Sequence, residues 1–215
     1  MSEVLNEISE WLQKGRAPKV KAAVTKALEE GIPASTILQD GLLAGMDIIG
    51  AKFKNNEVFV PEVLVAARAM NRGVEVLKPY LVEAGVEDKG TVILGTVKGD
   101  MHDIGKNLVR MMMEGKGLKV IDLGVDVPVE SFLDAAREND ASLICCSALL
   151  TTTMGEMKNV VDAVKASEMN GKVKVMIGGA PITQTFCEQI GADTYTTDAT
   201  SAADAAVEYC RTAVC

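Results

Sequence analysis

The chain is poor in the residues that build aromatic platforms, metal cages and disulfide frameworks. Of its 215 residues only 4% are aromatic, with a single tryptophan, and histidine occurs once. So few rings argue against a base-stacking surface for single-stranded nucleic acid. One histidine cannot close a zinc site. Five cysteines without CxxC spacing point to reduced thiols in a cytoplasm rather than to a disulfide scaffold. Cations are also in deficit. Lys+Arg number 22 against 30 Asp+Glu, a net charge of −8, which argues against binding to nucleic acid or to an anionic membrane. No apolar run approaches the roughly 20 residues that a membrane-spanning helix needs. The opening MSEVLNEISEWLQKG is acidic and amphipathic, without the charged start and apolar centre of a secretory signal. What is present is a globular balance of 48% hydrophobic and 24% charged residues.

Two halves of the chain follow different rules. Residues 1–84 read as helix throughout. Leu5, Ile8, Trp11 and Leu12 keep the spacing of an amphipathic helix. Pro18 opens a second helix, with Val20, Ala23, Val24, Ala27 and Leu28 on its apolar face, and Gly31 stops it. Pro33 opens a third through Ile37, Leu38, Leu42, Met46 and Ile49, and Pro61 a fourth with Val63, Leu64, Ala67, Met70, Val74 and Leu77 inward. Four helices with short connections predict a four-helix bundle. The segment Gly85-Val86-Glu87-Asp88-Lys89-Gly90 reads as a linker, so the expected domains are 1–88 and 89–215. From residue 91, apolar β-rich runs (91–97, 119–125, 142–149, 173–177, 192–197) alternate with helical stretches (104–115, 129–139, 153–169, 183–190, 201–214). That alternation predicts a five-stranded parallel sheet covered on both faces. The expected doubly wound order is 2-1-3-4-5, which opens a crevice at the carboxyl ends of strands one and three.

The crevice rule singles out two loops, 98–103 and 148–153. The only histidine, His102, lies in the first, within Gly99-Asp100-Met101-His102-Asp103-Ile104-Gly105. A neutral imidazole is a good ligand for a transition metal or a general base. A carboxylate two residues away, Asp100, can accept its other ring hydrogen and fix the tautomer. The same residue type also serves as a solvated helix cap. Because no cysteine pair joins His102, a metal bound there must arrive with most of its ligands in place, as in a macrocycle. The second loop offers four hydroxyls, Ser147, Thr151, Thr152 and Thr153. Gly178-Gly179 after the fourth strand removes side chains where a ligand tail could approach the backbone. The fifth strand ends in Thr197-Asp198-Ala199. Cys145 and Cys146 lie in an apolar strand and read as core, and Met111–Met113 as helix packing.

Three blocks in order, Asp100-x-His102-x-x-Gly105, Ser147-x-Leu149 and Gly178-Gly179, resemble the signature of the cobalamin-binding module found in methionine synthase and in corrinoid methyl-carrier proteins. The helical half is similar to that family's cap, through Gly45-Met46, Ile49-Gly50, Phe53 and Phe59-Val60-Pro61-Glu62. The resemblance implies residue roles. His102 would be the lower axial ligand of cobalt, in place of the cofactor's own base, with Asp100 bonded to its imidazole and Thr153 standing where the family relay has a serine. Gly99, Met101, Asp103, Ile104 and Gly105 would border the lower corrin face. Ser147, Leu149 and Thr151 would surround the displaced base, and Gly178, Gly179 and Ala199 the nucleotide tail. Phe53 and Val60 would face the upper side.

The resemblance further implies a non-catalytic methyl-carrier subunit, with cobalamin as cofactor. It would take a methyl group from a substrate:corrinoid methyltransferase and pass it to a corrinoid:pterin or corrinoid:thiol methyltransferase, with a reductive activase as third partner. Loss of the cobalt–imidazole bond on reduction would release His102 for protonation beside Asp100. A cobalamin-dependent sensor is the alternative, although no basic helix-turn-helix segment precedes the helical half. A mutase subunit would need a substrate barrel that this chain lacks room for, and a flavodoxin-like redox protein shares only the fold. Methylamines, methanol, methoxylated aromatics and betaines all remain as donors.

Overall fold

A computed structural model describes residues 2–84 and 89–213. The expected linker falls mostly on residues 85–88, which lie outside the described residues. The chain divides into two compact units, Met1–Glu87 with Gly115–Gly117, and Asp88–Glu114 with Leu118–Cys215.

The first unit is built from four helical rods among the described residues. They are α1 (Glu3–Gln13), α2 (Ala17–Glu29), a continuous rod of α3 (Ala34–Thr36), a π-helical stretch (Ile37–Leu43) and α4 (Ala44–Lys54), and α5 (Val60–Glu83). Most of the expected apolar stripes face inward: Ile8, Leu12, Val20, Val24, Ile37, Leu42, Val63 and Leu77 are all fully buried, whereas Leu64, one position past the stripe of α5, is 40% exposed. Burial of such side chains removes about 1.5–3 kcal/mol of apolar exposure each. Gly15 makes the turn between α1 and α2 at φ +64, and a Cβ there would lie 2.6 Å from Val65 Cγ2 on α5. Only glycine meets both requirements. The π-helical stretch had no counterpart in the sequence reading. Its wider turn brings Ile37 and Leu42, five residues apart, to the same buried side.

The second unit holds β1 (Thr91–Thr96), β2 (Lys119–Asp122), β3 (Leu143–Ser147), β4 (Lys174–Gly178) and β5 (Thr194–Tyr195), all parallel, in the order β2-β1-β3-β4-β5. The helices are α6 (Ile104–Glu114), α7 (Val129–Glu138), α8 (Met154–Ala166), α9 (Gln184–Ile190) and α10 (Ala199–Ala213). Ile93 and Leu94, and likewise Ile144 and Cys145, are buried on alternate sides of the sheet, as strands covered on both faces require. One core joins Ile93, Ile144 and Ile177 of the sheet to Phe132, Val160, Val161 and Ile190 of the helices.

Four strands end earlier than the apolar runs suggest, while β4 runs one residue further, to Gly178. The run 142–149 stops pairing at Ser147, and 192–197 narrows to Thr194–Tyr195. The reason is visible at Leu149. Its N–H donates to the Asp100 carboxylate instead of continuing a ladder. The register then sets the site: Thr96 pairs with Ser147, and Ser147 with Gly178. The loops that follow β1, β3 and β4 therefore leave the sheet side by side.

Candidate functional site

Asp100 is the centre of this edge. Its side chain is fully buried, yet it accepts hydrogen bonds from five donors. Oδ1 takes the backbone N–H of His102 at 3.1 Å and lies 2.9 Å from His102 Nδ1. Oδ2 takes the N–H groups of Leu149 at 2.8 Å and Leu150 at 3.1 Å, and the Thr153 hydroxyl at 2.9 Å. Burial alone would push the carboxyl up. The Leu149 N–H, the imidazole, and the His102 and Leu150 N–H groups outweigh it and hold Asp100 well below the usual carboxylate range. An ionised carboxylate only accepts, so Nδ1 carries the ring hydrogen and Nε2 keeps its lone pair. The His102 side chain is 50% exposed, which leaves that lone pair accessible.

The carboxylate thus ties the loop after β1 to the loop after β3. Thr153 is buried and its hydroxyl also lies 2.9 Å from the Leu150 carbonyl, so one hydrogen serves two acceptors. Around the imidazole stand four large apolar side chains in water: Met101 at 68% exposure, Ile104 at 79%, Leu149 and Leu150 at about 40% each. Asp103 is exposed and bonded to Asn107 Nδ2 at 3.1 Å. Gly99, at φ +80, donates its N–H to Asp126 Oδ1 at 2.7 Å.

Beside this edge lies a cavity of about 370 Å³. Leu94, Val109, Cys145 and Met176 line it as apolar wall, and Ser147, Thr197 and Asp198 as polar wall. Gly105, Gly178, Gly179 and Ala199 also border it. Thr151 is exposed and is not part of this lining. A Cβ on Gly178 would meet nothing within 4 Å, so the backbone there faces open space. At Gly179, φ is +137 and a Cβ would fall 1.8 Å from the Ala148 carbonyl oxygen, which makes glycine obligatory for the crossing of the two strand-end loops. Phe53 and Val60 belong to the helical unit, where both are partly exposed.

Several residues of the site escaped the sequence reading. Lys106, in the first turn of α6, is buried and bonded to Asp122 at 2.5 Å, with Asn107 at 3.2 Å. Together with Arg110, that lysine holds the Asp122 carboxyl below its ordinary range against the effect of burial. A carboxylate ending an apolar strand, with a lysine in the first turn of the preceding helix, was the available signal. Cys145 and Cys146 are buried as expected, and so are Met112 and Met113. Burial pushes both thiols up, Cys146 to about 12.

The donor set decides what kind of metal fits. Among the described residues no group of three His, Cys, Asp or Glu side chains is placed to hold an ion. His102 can therefore supply only one ligand, to a metal whose remaining positions are filled by something else. A planar macrocycle with an appended tail fits the half-exposed imidazole, the apolar collar around it and the adjoining cavity.

Comparison with known proteins agrees with that geometry. The family described as "B12 binding domain" matches residues 90–207, and a second of the same description matches 4–78. The chain belongs to the B12-binding corrinoid proteins. This corrinoid protein is 43% identical to dimethylamine corrinoid protein 1 of Methanosarcina mazei, over 96% of its own length and 95% of that relative. It is 42% identical to trimethylamine corrinoid protein 1 of the same organism over 81% and 82% of the two chains. Its structure is similar to that of the methanol:cobalamin methyltransferase complex from Methanosarcina barkeri, with a TM-score of 0.86 and 31% identity, covering 96% of this chain and 80% of that one. No helix among the described residues is long and apolar enough to cross a membrane.

Proposed function

We propose that this corrinoid protein carries a methyl group from a methylamine:corrinoid methyltransferase to a second methyltransferase acting on a pterin or thiol. The observation that carries the reading is a single imidazole, locked by a buried carboxylate and presented among apolar side chains beside a tail-sized cavity. The full-length similarity to dimethylamine corrinoid protein supports a methylamine as the donor. The similarity to a methyltransferase complex supports docking on a substrate methyltransferase.

When bound, the corrinoid supplies a cobalt centre that accepts and releases a methyl group. The residues of the chain bind and orient it. His102 Nε2 would supply the protein's one ligand to the cobalt. Asp100 keeps Nδ1 protonated, and Thr153 keeps Asp100 in place. Gly99, Met101, Asp103, Ile104 and Gly105 would hold the ring, and Leu149 and Thr151, with Ser147, would surround the displaced base. Ser147, Gly178, Gly179 and Ala199 line the tail cavity. Phe53 and Val60 belong to a helical domain at residues 1–88, and the cobalamin-binding domain spans 89–215. A reductive activase and a cytoplasmic location complete the proposal, the latter supported by four buried free thiols among the described residues.

The test is reconstitution of the apo chain with hydroxocobalamin, followed by desalting and absorbance. Bound corrinoid with an imidazole-ligated spectrum is expected, and His102→Ala should lose that spectrum. Methyl transfer is then followed with dimethylamine, trimethylamine and methanol methyltransferases. Faster methylation with dimethylamine supports the donor assignment; exclusive use of methanol overturns it.

A further inference from the structure

Asp100 and Thr153 fix the imidazole ring, but something else fixes the backbone that carries it. Thr96, the last residue of β1, is fully buried. Its hydroxyl donates to the His102 carbonyl at 2.8 Å, closing a loop from 96 to 102. Thr96 is itself immobilised. Its N–H donates to the Gly124 carbonyl at 3.0 Å, and its carbonyl accepts from Val127 N–H at 3.0 Å. Both partners belong to the loop after β2.

The same loop grips the turn a second time. Asp126 sits in the left-handed region at φ +53, an uncommon conformation for a residue with a Cβ. In that conformation its Oδ1 accepts the Gly99 N–H at 2.7 Å, while its own N–H donates to the Asp100 carbonyl at 2.9 Å. The two bonds lie on either side of the Gly99–Asp100 peptide region. The Asp100 N–H is also held, by the Val97 carbonyl at 3.1 Å. Asp122, at the root of the same loop, accepts Gly124 N–H at 2.9 Å and holds Lys106 at the start of α6. The turn from Gly99 to His102 is thus clamped before it, along it and after it by groups that touch neither the imidazole nor the crevice.

We propose that Thr96 and Asp126 are positioning residues, which preset the His102 turn so that Nε2 is presented at a fixed height before any cofactor arrives. The inference rests on His102 being the axial ligand, but its first readout does not. A preset turn shields its amides in the cofactor-free chain. Held at only one point, it would exchange them freely, and ligation would have to order it.

The experiment compares the full chain with Thr96→Val, Thr96→Ser, Asp126→Ala and Asp126→Asn. Valine keeps the shape of threonine but removes the donor, whereas serine restores it. Asparagine keeps an acceptor at the side-chain oxygen, whereas alanine does not. In the cofactor-free state, amide hydrogen exchange at Gly99, Asp100 and His102 should be slow in the parent and in the serine and asparagine variants. It should be at least several-fold faster in the valine and alanine variants. After loading with hydroxocobalamin, loss of one such bond should weaken imidazole ligation about three- to tenfold, read as a rise of roughly half a unit to one unit in the pH at which the imidazole-ligated spectrum disappears. Serine should restore the parent value. If valine and alanine variants exchange and titrate like the parent, the clamp is refuted. If valine fails to fold, the alanine and asparagine pair decides alone. If the parent itself lacks an imidazole-ligated spectrum but its turn amides are protected, the ligand assignment fails while the preset turn stands.

Discussion

Thr153 Oγ1 lies 2.9 Å from Asp100 Oδ2, the carboxylate oxygen that the imidazole does not use. The hydroxyl therefore does not compete with His102 for the same lone pair. It adds a donor on the far side, together with two backbone N–H groups, and leaves Oδ1 directed at the ring.

Thr153→Ala removes one of five donors from a buried charge. Stability of the apo chain should fall by about 1–2 kcal/mol, read from urea midpoints. Thr153→Ser should recover most of it, because the hydroxyl alone makes the bond. A serine variant as unstable as the alanine variant would show that the methyl group, not the bond, matters at this position.

The low carboxyl of Asp100 gives a pH signature. A group whose folded value lies below its unfolded value binds fewer protons when folded. Its stabilisation is complete above the unfolded range near pH 4 and declines as pH falls towards the folded value. Asp100→Asn places two N–H donors against donors already present, so it should cost about 2–3 kcal/mol at pH 7. The difference between parent and variant should shrink steadily below about pH 4. Urea midpoints between pH 3 and 7 measure it; a constant difference would remove Asp100 from the account of acid stability.

Lys106 and Asp122 form a largely buried pair at the base of α6. Removing only the acid, as in Asp122→Ala, leaves the ammonium without its main partner and should cost about 3 kcal/mol. Lys106→Met combined with Asp122→Leu should recover part of that loss, since neither charge then stays buried. A double-mutant cycle with no coupling would mean that the two side chains act independently.

The two glycines after β4 should separate fold from binding. Gly179→Ala forces a Cβ into the Ala148 carbonyl at a positive φ, and stability should fall by about 2 kcal/mol or more. Gly178→Ala meets no protein atom and should change stability by less than about 0.5 kcal/mol. If the cofactor tail lies against Gly178, that variant should still bind corrinoid at least tenfold more weakly in an equilibrium titration. Unaltered binding would move the tail elsewhere in the cavity.

Much of this was readable from the chain because its strongest signals are periodic or positional. Ile8 and Leu12 announce a helix by spacing, and the alternation after residue 91 announces a parallel sheet whose order places Thr96, Ser147 and Gly178 in line. His102 stood out by being alone of its kind. What remained hidden depends on contacts between residues far apart in sequence. Neither Thr96 nor Asp126 breaks a local rule, and their bonds to the His102 turn arise only when β1 and the loop after β2 are neighbours. The strand ends were overextended because Leu149 is apolar, whereas its backbone is committed to a carboxylate 49 residues earlier. Thr151, assigned to the site with Ser147 by the resemblance, is exposed and does not line the cavity.

The buried cysteines of β3 set the chemistry of the cavity wall. Cys145 and Cys146 border the cavity, and burial pushes both thiols up, so the wall they form carries no charge. A thiolate there would set a nucleophile and a negative charge against whatever fills the space. Kept as thiols, the pair acts as two small hydrophobes, and the cavity offers an occupant shape rather than reactive sulfur.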